Sequence, residues 1–507
     1  MSVYDKRGLE SFAKGLAALD FELIASGGTA AAIEELGLPV TRVERLTEFP
    51  ELLDGRVKTL HPRIHAGILA RRGFDDDLAT IAEHGIDAID LVCVNLYPFG
   101  ETAGRRGVAE HEVVEMIDIG GPALLRAAAK NYEYVIPVCA RSDYDPVLTE
   151  LRARDGDLSH DTRTRLATTA FTTTAAYDAS IAAWLGDSVR FPEAIIPVFD
   201  KIADLPYGEN PHQDAAVYAE RGARTHLLAR VDQLHGRALS FNNLNDLNAA
   251  RLLIREFTLP ACVIVKHANP CGVALGASIE EAYDCALAAD PTSAYGGVVV
   301  LNRPVSAALG LRLAEQFVEV LHAPGYDEVA LEALVQKRSV RILNDLERRG
   351  EEAAERDYKR ILGGLLVQDR DWDVADREGM DVVCGDPTEA AWGDLLFAWR
   401  VCKHVSSNAI VLVKDLQTIG IGSGQMSRVD AVRLALEKAR EHGHSLEGAV
   451  LVSDGFFPFA DGPQLALEAD VTALIQPGGS KRDPDVCSAV EAAGAAMIVT
   501  GRRHFSH

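Results

Sequence analysis

The 507-residue chain lacks the features that place a protein in a membrane, in the secretory pathway or on nucleic acid. No apolar run reaches the roughly 18 residues needed to cross a bilayer, and the amino-terminal MSVYDKRGLE has no signal-peptide layout. Its 51 Lys and Arg against 75 Asp and Glu give a formal net charge of -24, which argues against general binding to phosphate backbones. We therefore expect a cytoplasmic protein that holds any phosphorylated ligand with local basic clusters.

The cysteines also lack the spacing that zinc sites and disulfide frameworks use. All eight are scattered, and no Cys-x-x-Cys pair occurs. The stretch VKHANPCG (265–272) is superficially like the zinc deaminases, in which a His and a Pro-Cys-x-x-Cys element hold the metal beside a catalytic Glu. Here Asn269 replaces that Glu two residues after His267, and Cys271 has no partner at the required distance. The zinc interpretation therefore fails, and reduced, buried thiols are expected.

Apolar segments alternate with helical patterns along the chain, which predicts an α/β protein with parallel sheet covered by helices. The Pro-rich connection RFPEAIIPVFDK marks a boundary, so domains are expected at 1–190 and 191–507. In the second domain a strand, a glycine-containing loop and a helix occur twice, which hints at a duplication. We place its two subdomains at roughly 200–370 and 371–507.

Two segments of the first domain collect groups suited to an anion. Residues 26–29, SGGT, open a helix with free backbone N–H groups, although a tight turn capped by Thr29 explains the pattern equally well. The segment GRVKTLHPRIHAG favours a phosphate pocket, because crowding cations costs repulsion unless something negative offsets it. Its cationic and titratable side chains are Arg56, Lys58, His61, Arg63 and His65.

Further candidates stand where strands end and helices begin. Asn95 and Tyr97 follow a buried strand, the place where open α/β sheets bind ligands, although Tyr97 could equally be a core aromatic residue. Asp118 precedes a Gly-Gly-Pro helix start and supplies an acid or a base. Lys130 lies on the same helical face as Arg126, although a Lys at a helix end commonly serves only the helix dipole.

These motifs, in this order and over nearly the whole chain, resemble the bifunctional purine-biosynthesis enzymes that join AICAR formyltransferase to IMP cyclohydrolase. The matching strings are SGGT, GRVKTLHP, IDIGG, GENPHQ, KHANPCG, DPTSAYGG, GQMSR and SDGFFPFAD. The resemblance implies a methylglyoxal-synthase-like domain over 1–190 that closes the purine ring. Over 191–507 it implies two cytidine-deaminase-like α/β subdomains without zinc, which transfer a formyl group from 10-formyltetrahydrofolate to AICAR. No catalytic metal is implied.

The resemblance also assigns roles to residues. For ring closure it implies catalysis by Lys58, Tyr97, Asp118 and Lys130, with the nucleotide held by Ser2, Lys6, Ser26, Gly28, Thr29, Arg56, Thr59 and Asn95. For formyl transfer it implies an acid–base pair, Lys266 and His267, oriented by Asn408. The nucleotide phosphate is assigned to Arg428, and the remaining matches around the nucleotide or folate are Tyr207, Tyr295, Gly296, Glu319, Phe456, Asp461 and His507.

The chain departs from this family pattern in two places. Pro206 stands where many members have an Arg on the AICAR phosphate, so another cation must replace that contact. Members also carry residues ahead of SVYDK, so the first strand is either shortened or begins upstream of Met1, which leaves the role of Ser2 open.

The family implies a homodimer with formyltransferase sites across the subunit interface, and AICAR, formyl-AICAR, IMP and folate as ligands. Two other functions compete with this one, a zinc-dependent nucleoside deaminase and a nucleotide-sensing regulatory protein. The sensing function would leave Lys266 and His267 without a role.

Overall fold

The computed structural model describes residues 1–53, 56–221, 231–345, 356–373 and 376–507. They form two compact units, Met1–Val198 and Phe199–His507, divided a few residues after the predicted boundary. Within the described ranges, every helix is too short or too polar to cross a membrane.

The first unit contains a three-stranded parallel sheet in the order β1-β4-β5 and a separate parallel pair, β2 and β3. Its strands are β1 (Ser2–Val3), β2 (Ile24–Ala25), β3 (Thr41–Arg42), β4 (Leu91–Asn95) and β5 (Ile136–Val138). Its helices are α1 (Leu9–Ala17), α2 (Gly27–Glu35), α3 (Val43–Thr47), α4 (Pro62–Leu69), α5 (Asp75–Glu83), α6 (Phe99–Ala103), α7 (Glu110–Val114), α8 (Gly120–Lys130), α9 (Tyr144–Ala153) and α10 (His160–Leu185).

Strand β4 is buried on both faces, as its continuous apolar sequence LVCVN requires. Cys93 packs in a core that includes Phe12 of α1 and Leu148 of α9. Val92 and Val94 point the other way, into a core with α4 and α8. Helices on both faces leave the ends of the parallel strands as the place for polar side chains.

The second unit is built on a twelve-stranded mixed sheet in the order β16-β21-β20-β19-β17-β18-β10-β9-β11-β12-β13-β8. One half comprises β8 (Asp232–His235), α11 (Phe241–Ile254), β9 (Ala261–Lys266), β10 (Asn269–Leu275), α12 (Ile279–Ala289), α13 (Pro291–Ala294), β11 (Val298–Leu301), α14 (Ala307–Glu315), β12 (Val320–Ala323), α15 (Glu328–Leu334) and β13 (Arg341–Asn344). The other half comprises β16 (Asp381–Cys384), α16 (Glu389–Cys402), β17 (Ile410–Lys414), β18 (Gln417–Gly422), α17 (Arg428–Glu441), β19 (Val450–Ser453), α18 (Asp461–Leu467), β20 (Ala473–Gln476), α19 (Asp483–Ala492) and β21 (Ala496–Val499).

The two halves repeat one topology. Each has an antiparallel hairpin, three further strands that follow it across the sheet and an antiparallel edge strand, and the hairpins meet at the centre through β10 and β18. Two more hairpins lie outside this sheet, β6 (Phe199–Leu205) with β7 (Ala215–Glu220) and β14 (Arg356–Ile361) with β15 (Gly364–Asp369). The repeat extends the duplication indicated by the sequence to six strands in each half.

The glycine-containing loops expected after β9 and β17 are strands instead. The turn between β9 and β10 consists only of His267 and Ala268, and β10 begins at Asn269. A Cβ on Gly272 would overlap the carbonyl oxygen of Ala286 in α12. Glycine in a sequence usually indicates a turn, but these glycines lie in strands because a helix backbone packs directly on them.

We expect Gly272→Ala to destabilise the second unit, because the new methyl group would meet helix backbone that cannot move aside. Overpacking of this kind lowers the free energy of unfolding by about 1–3 kcal/mol. Gly420→Ala should behave alike, since its Cβ would overlap the carbonyl oxygen of Ala435 in α17. Chemical denaturation measures both, and Gly379→Ala is the control, because its Cβ would meet none of the described atoms within 4 Å. An unchanged denaturation midpoint in Gly272→Ala would contradict the packing argument.

Candidate active sites

In the first unit, two amino groups lie at the start of α2. The Lys58 Nζ is 3.9 Å from the position that a Cβ on Gly27 would take, and a Cβ on Gly28 would meet none of the described atoms within 4 Å. The Lys6 Nζ donates to Thr29 Oγ1 at 3.1 Å. Burial and the positive charge of Lys58 both lower the pKa of the Lys6 ammonium. Two cations and a helix amino terminus beside open space make a site for an anion.

Three other predicted residues of this unit hold the backbone around that site. Thr29 is buried, and its hydroxyl accepts from Val3 N at 3.0 Å. Asn95 Oδ1 accepts from the N–H groups of Tyr4 at 2.5 Å and Asp5 at 2.9 Å. Ser2 lies in β1, in register with Val94 of β4. These contacts fix the segment that carries Lys6.

Asp118 is the half-buried carboxyl group of the site. Its Oδ1 accepts from Gly121 N at 2.8 Å. Burial raises the pKa of Asp118, while the N–H groups of Gly121 and Tyr97 and the charge of Lys58 oppose this effect. A carboxyl group with a raised pKa is better suited to proton transfer than one in water. Lys58, Tyr97 and Asp118 are therefore brought together.

Two residues predicted for this site, Lys130 and Arg56, either lie at a distance from it or have a partner within the protein. Lys130 is the last residue of α8, which begins at Gly120 beside Asp118. Ten residues of helix rise place its Cα about 15 Å from that start. The guanidinium of Arg56 pairs with the carboxylate of Glu115. Ser26 caps α2 through its backbone position, and Thr59 is buried against Gly120.

Tyr177 of α10 supports Asp118 and was missed from the sequence. Its hydroxyl accepts from Asp118 N at 2.8 Å and donates to the Met116 carbonyl at 2.7 Å. Burial raises the pKa of Tyr177 to about 12, so the hydroxyl stays protonated. Nothing in the Thr- and Ala-rich helix sequence distinguishes this Tyr from an ordinary core residue.

In the second unit, Lys266 and His267 stand at the tip of the β9–β10 hairpin. The Lys266 Nζ donates to the Tyr295 carbonyl at 2.6 Å, and His267 has a positive φ of 55°. Both residues line a cleft of about 340 Å³. Its other walls are Asn269, Pro270, Cys271, Ala289, Asp290, Ser293, Gly420, Ile421, Ser423, Leu434 and Lys438. The cleft therefore lies between the two halves of the sheet.

The segment 406–408 joins this hairpin to the other half. Ser406 N donates to Asn269 Oδ1 at 2.9 Å, two residues beyond His267. Ser407 N donates to the Ser506 carbonyl at 2.9 Å, which brings in the carboxy-terminal segment. Asn408 Nδ2 donates to the Gln425 carbonyl at 2.8 Å. Asn408 is therefore held close to the hairpin tip although it is far from it in sequence.

Arg428, predicted as a phosphate ligand, is buried and has partners inside the protein. Its Nη1 donates to Ser453 Oγ at 2.7 Å and pairs with the carboxylate of Asp454, which is fully buried. Its Nη2 donates to Asn408 Oδ1 at 2.7 Å. This arrangement orients the Asn408 amide.

The remaining predicted residues of the second unit fall into two groups. Some form hydrogen bonds within the protein, and others have side chains exposed to solvent. Glu319 Oε1 accepts from Asn243 Nδ2 at 3.1 Å and from Arg341 Nη1 at 3.4 Å. Gly296, with a φ of 71°, donates its N–H to the Phe317 carbonyl at 2.8 Å. Asp461 begins α18 and accepts from Gly462 N at 2.8 Å. Side chains exposed to solvent are those of Tyr207, Tyr295, Phe456 and His507.

Among the described residues that line the cleft, Cys271 supplies the thiol. Burial raises its pKa to about 12, and the nearby carboxylate of Asp290 acts in the same direction. The thiol is therefore protonated at neutral pH. In the part of the chain that the structure describes, no three His, Cys, Asp or Glu side chains are grouped to hold a metal ion.

Comparisons with known proteins match both units. A protein-family model described as "AICARFT/IMPCHase bienzyme" matches residues 128–438, and one described as "MGS-like domain" matches residues 8–123. A solved structure titled "Crystal structure of ForH" is 42% identical, and the match covers 37% of this chain and 96% of that one. Its TM-score is 0.33, too low for the two structures to be compared as folds.

We expect Arg428→Met to lower the free energy of unfolding by about 3–5 kcal/mol, because it leaves the buried carboxylate of Asp454 without its cation. The control is Arg433→Met on the same helix, whose ion pair with Asp430 is exposed and should contribute about 0–1 kcal/mol. Urea denaturation of the full chain measures both. If both variants lose little free energy of unfolding, and by the same amount, Arg428 binds a ligand and does not stabilise the fold.

Proposed function

The chain belongs to the AICARFT/IMPCHase bienzyme family, and from that membership we propose that it catalyses the last two steps of IMP synthesis in the cytoplasm. The second unit transfers a formyl group from 10-formyltetrahydrofolate to AICAR. The first unit, which contains the MGS-like domain, then closes formyl-AICAR to IMP with loss of water.

In formyl transfer, the 5-amino group of AICAR attacks the formyl carbon and the bond from that carbon to the folate N10 breaks. This amine is conjugated with the ring, so it attacks weakly unless its proton is removed as the new bond forms. His267, at the hairpin tip that lines the cleft, takes that proton on its imidazole nitrogen. Lys266 offsets negative charge on the formyl oxygen and on the departing nitrogen, which leaves with the proton that His267 has taken.

The observation that carries this proposal is the contact between Ser406 N and Asn269 Oδ1 at 2.9 Å. It ties the Lys266–His267 tip to the segment that holds Asn408. The tip that lines the cleft and the segment that carries Asn408 come from different halves of the sheet and are thereby held together, as a reaction with two substrates requires. The family implies that each half is cytidine-deaminase-like, and the repeated topology supports that assignment.

In ring closure, the carboxamide nitrogen attacks the formyl carbon and loses one proton, the formamido nitrogen loses another, and the formyl oxygen leaves as water with both. Lys6, Lys58 and the start of α2 hold the nucleotide phosphate. Asp118, with its raised pKa, and Tyr97 move protons at the reacting atoms. Lys130 keeps its assignment from the family, and a bound nucleotide would have to reach along α8 to meet it.

The protein acts as a homodimer, with formyltransferase sites shared between subunits. The two hairpins outside the large sheet support this. Leu362 and Leu366 of the β14–β15 hairpin are exposed, as are Phe199 and Tyr218 of the β6–β7 hairpin. An isolated two-stranded hairpin is only marginally stable in water, and exposed apolar patches of this kind typically serve association.

We expect His267→Ala to slow formyl transfer by roughly 10²–10⁴-fold, the usual contribution of a general base. Cyclisation of supplied formyl-AICAR should remain near the wild-type rate, because the first unit carries that reaction. Transfer is followed with AICAR and 10-formyltetrahydrofolate, and closure with formyl-AICAR alone.

Lys58→Ala is the matched control with the opposite pattern. It should slow closure and spare transfer. Loss of both activities in either variant would contradict the assignment of one reaction to each unit, and an unchanged closure rate would remove Lys58 from the site.

We expect sedimentation of the active protein to show a dimer. The double variant Leu362→Asp, Leu366→Asp places charge on the exposed hairpin, so it should weaken dimerisation and formyl transfer together while closure continues. A monomer with full transfer activity would refute the shared site.

A further inference from the structure

The turn that carries His267 breaks a local rule of hairpin sequences. Both of its central residues have positive φ, 55° at His267 and 61° at Ala268. Two-residue turns of this kind normally use Asn-Gly or Gly-Gly, because a Cβ is disfavoured in the left-handed region. Neither residue here is a glycine, so another interaction must hold the turn.

That interaction is a carboxylate from α11. Asp246 Oδ1 accepts from Ala268 N at 2.7 Å, and Asp246 Oδ2 accepts from His267 N at 3.2 Å. Successive N–H groups in such a turn converge on one side and favour a negative charge there. Asp246 therefore binds the turn through both oxygens at once.

The second half of the sheet repeats the same clamp. Asp415 and Leu416 have φ values of 54° and 57° between β17 and β18. Asp394 of α16 accepts from Leu416 N at 2.6 Å and from Asp415 N at 3.0 Å. Asp246 and Asp394 lie at the same sequence distance before Lys266 and Lys414. The clamp thus belongs to the duplicated scaffold.

The two turns differ in what they present. The first carries His267 after Lys266 and lines the cleft, whereas the second carries Asp415 after Lys414. Lys414 Nζ donates to the Glu447 carbonyl at 2.8 Å. The chain therefore contains two equal structural devices, of which one supports the predicted acid–base pair.

We infer that Asp246 is a positioning residue for formyl transfer, which fixes the imidazole of His267 in the cleft by holding the left-handed turn beneath it. The inference rests on the proposed function of the second unit. Among the described residues, the hydrogen bonds of Asp246 go to backbone N–H groups of the turn, so it acts through the direction of the His267 side chain and not on the substrate.

The decisive comparison is Asp246→Ala against Asp394→Ala in the full-length protein. Both variants should lose similar stability, because each frees one clamped turn. Only Asp246→Ala should lower kcat for formyl transfer, by roughly 10- to 100-fold, as a displaced catalytic group does, with KM for AICAR little changed. Asp394→Ala should stay within about twofold of wild type, and the closure rate reports the folded first unit in each sample. Equal losses of transfer in the two variants, or none in Asp246→Ala, would overturn the inference.

A rescue separates turn geometry from charge. Glycine adopts positive φ without penalty, so Ala268→Gly in the Asp246→Ala background should restore part of the turn and raise kcat several-fold over the single variant. Absence of any rescue would mean that the carboxylate acts by its charge, which contradicts a positioning role through the turn.

If the wild-type protein transfers no formyl group, the proposed function fails, but Asp246 can still be tested. The ring signals of His267 in an NMR spectrum, assigned with His267→Ala, should move in Asp246→Ala and stay in place in Asp394→Ala. Unmoved signals in Asp246→Ala would overturn the inference without reference to activity.

Discussion

The second unit depends on the junction of its two halves, where β10 meets β18. Ala274 of β10 pairs with Gln417 of β18, and beside this pair Leu275 N donates to the Leu416 carbonyl at 3.0 Å. Next to it, the fully buried hydroxyl of Thr418 accepts from Val273 N at 3.0 Å and donates to the Val273 carbonyl at 3.2 Å. Buried backbone groups without partners are costly, so this side chain completes the ladder where the strands diverge. The cleft beside Lys266 is lined by residues of both halves that this junction joins.

Much of the fold could be predicted, because burial of parallel strands leaves continuous apolar runs such as LVCVN in β4. The turn at His267 could not, since its conformation depends on Asp246, a distant residue in another element. Gly272 suggested a loop because glycine usually marks one, whereas here it admits the backbone of α12. The repeated distance from Asp246 to Lys266 and from Asp394 to Lys414 was the one signal in the sequence that could have revealed the clamp.

Some residues of the candidate sites were predicted better than others. A sequence shows where charged residues stand along the chain, but it does not show which groups they pair with in the fold. Arg56 and Arg428 both have carboxylate partners within the protein, Glu115 and Asp454. At the start of α2, by contrast, burial and the charge of Lys58 lower the pKa of Lys6, so a bound phosphate would relieve a repulsion already present. Helical periodicity predicts which face of α8 carries Lys130. It does not predict whether a ligand bound at the start of the helix is long enough to reach its last residue.

The duplicated scaffold gives an asymmetric site because each half uses a different piece of the repeat. In the second half, the segment before the hairpin, 406–408, bonds across to Asn269 and holds Asn408. The corresponding segment of the first half is tied to its own loop, since the Leu259 carbonyl accepts from Asn302 Nδ2 at 2.7 Å. At the hairpin tips the contribution is the opposite. The first half supplies Lys266 and His267, whereas the second supplies a clamped turn. Neither half alone holds both pieces, so the chemistry requires the two to be joined in one sheet.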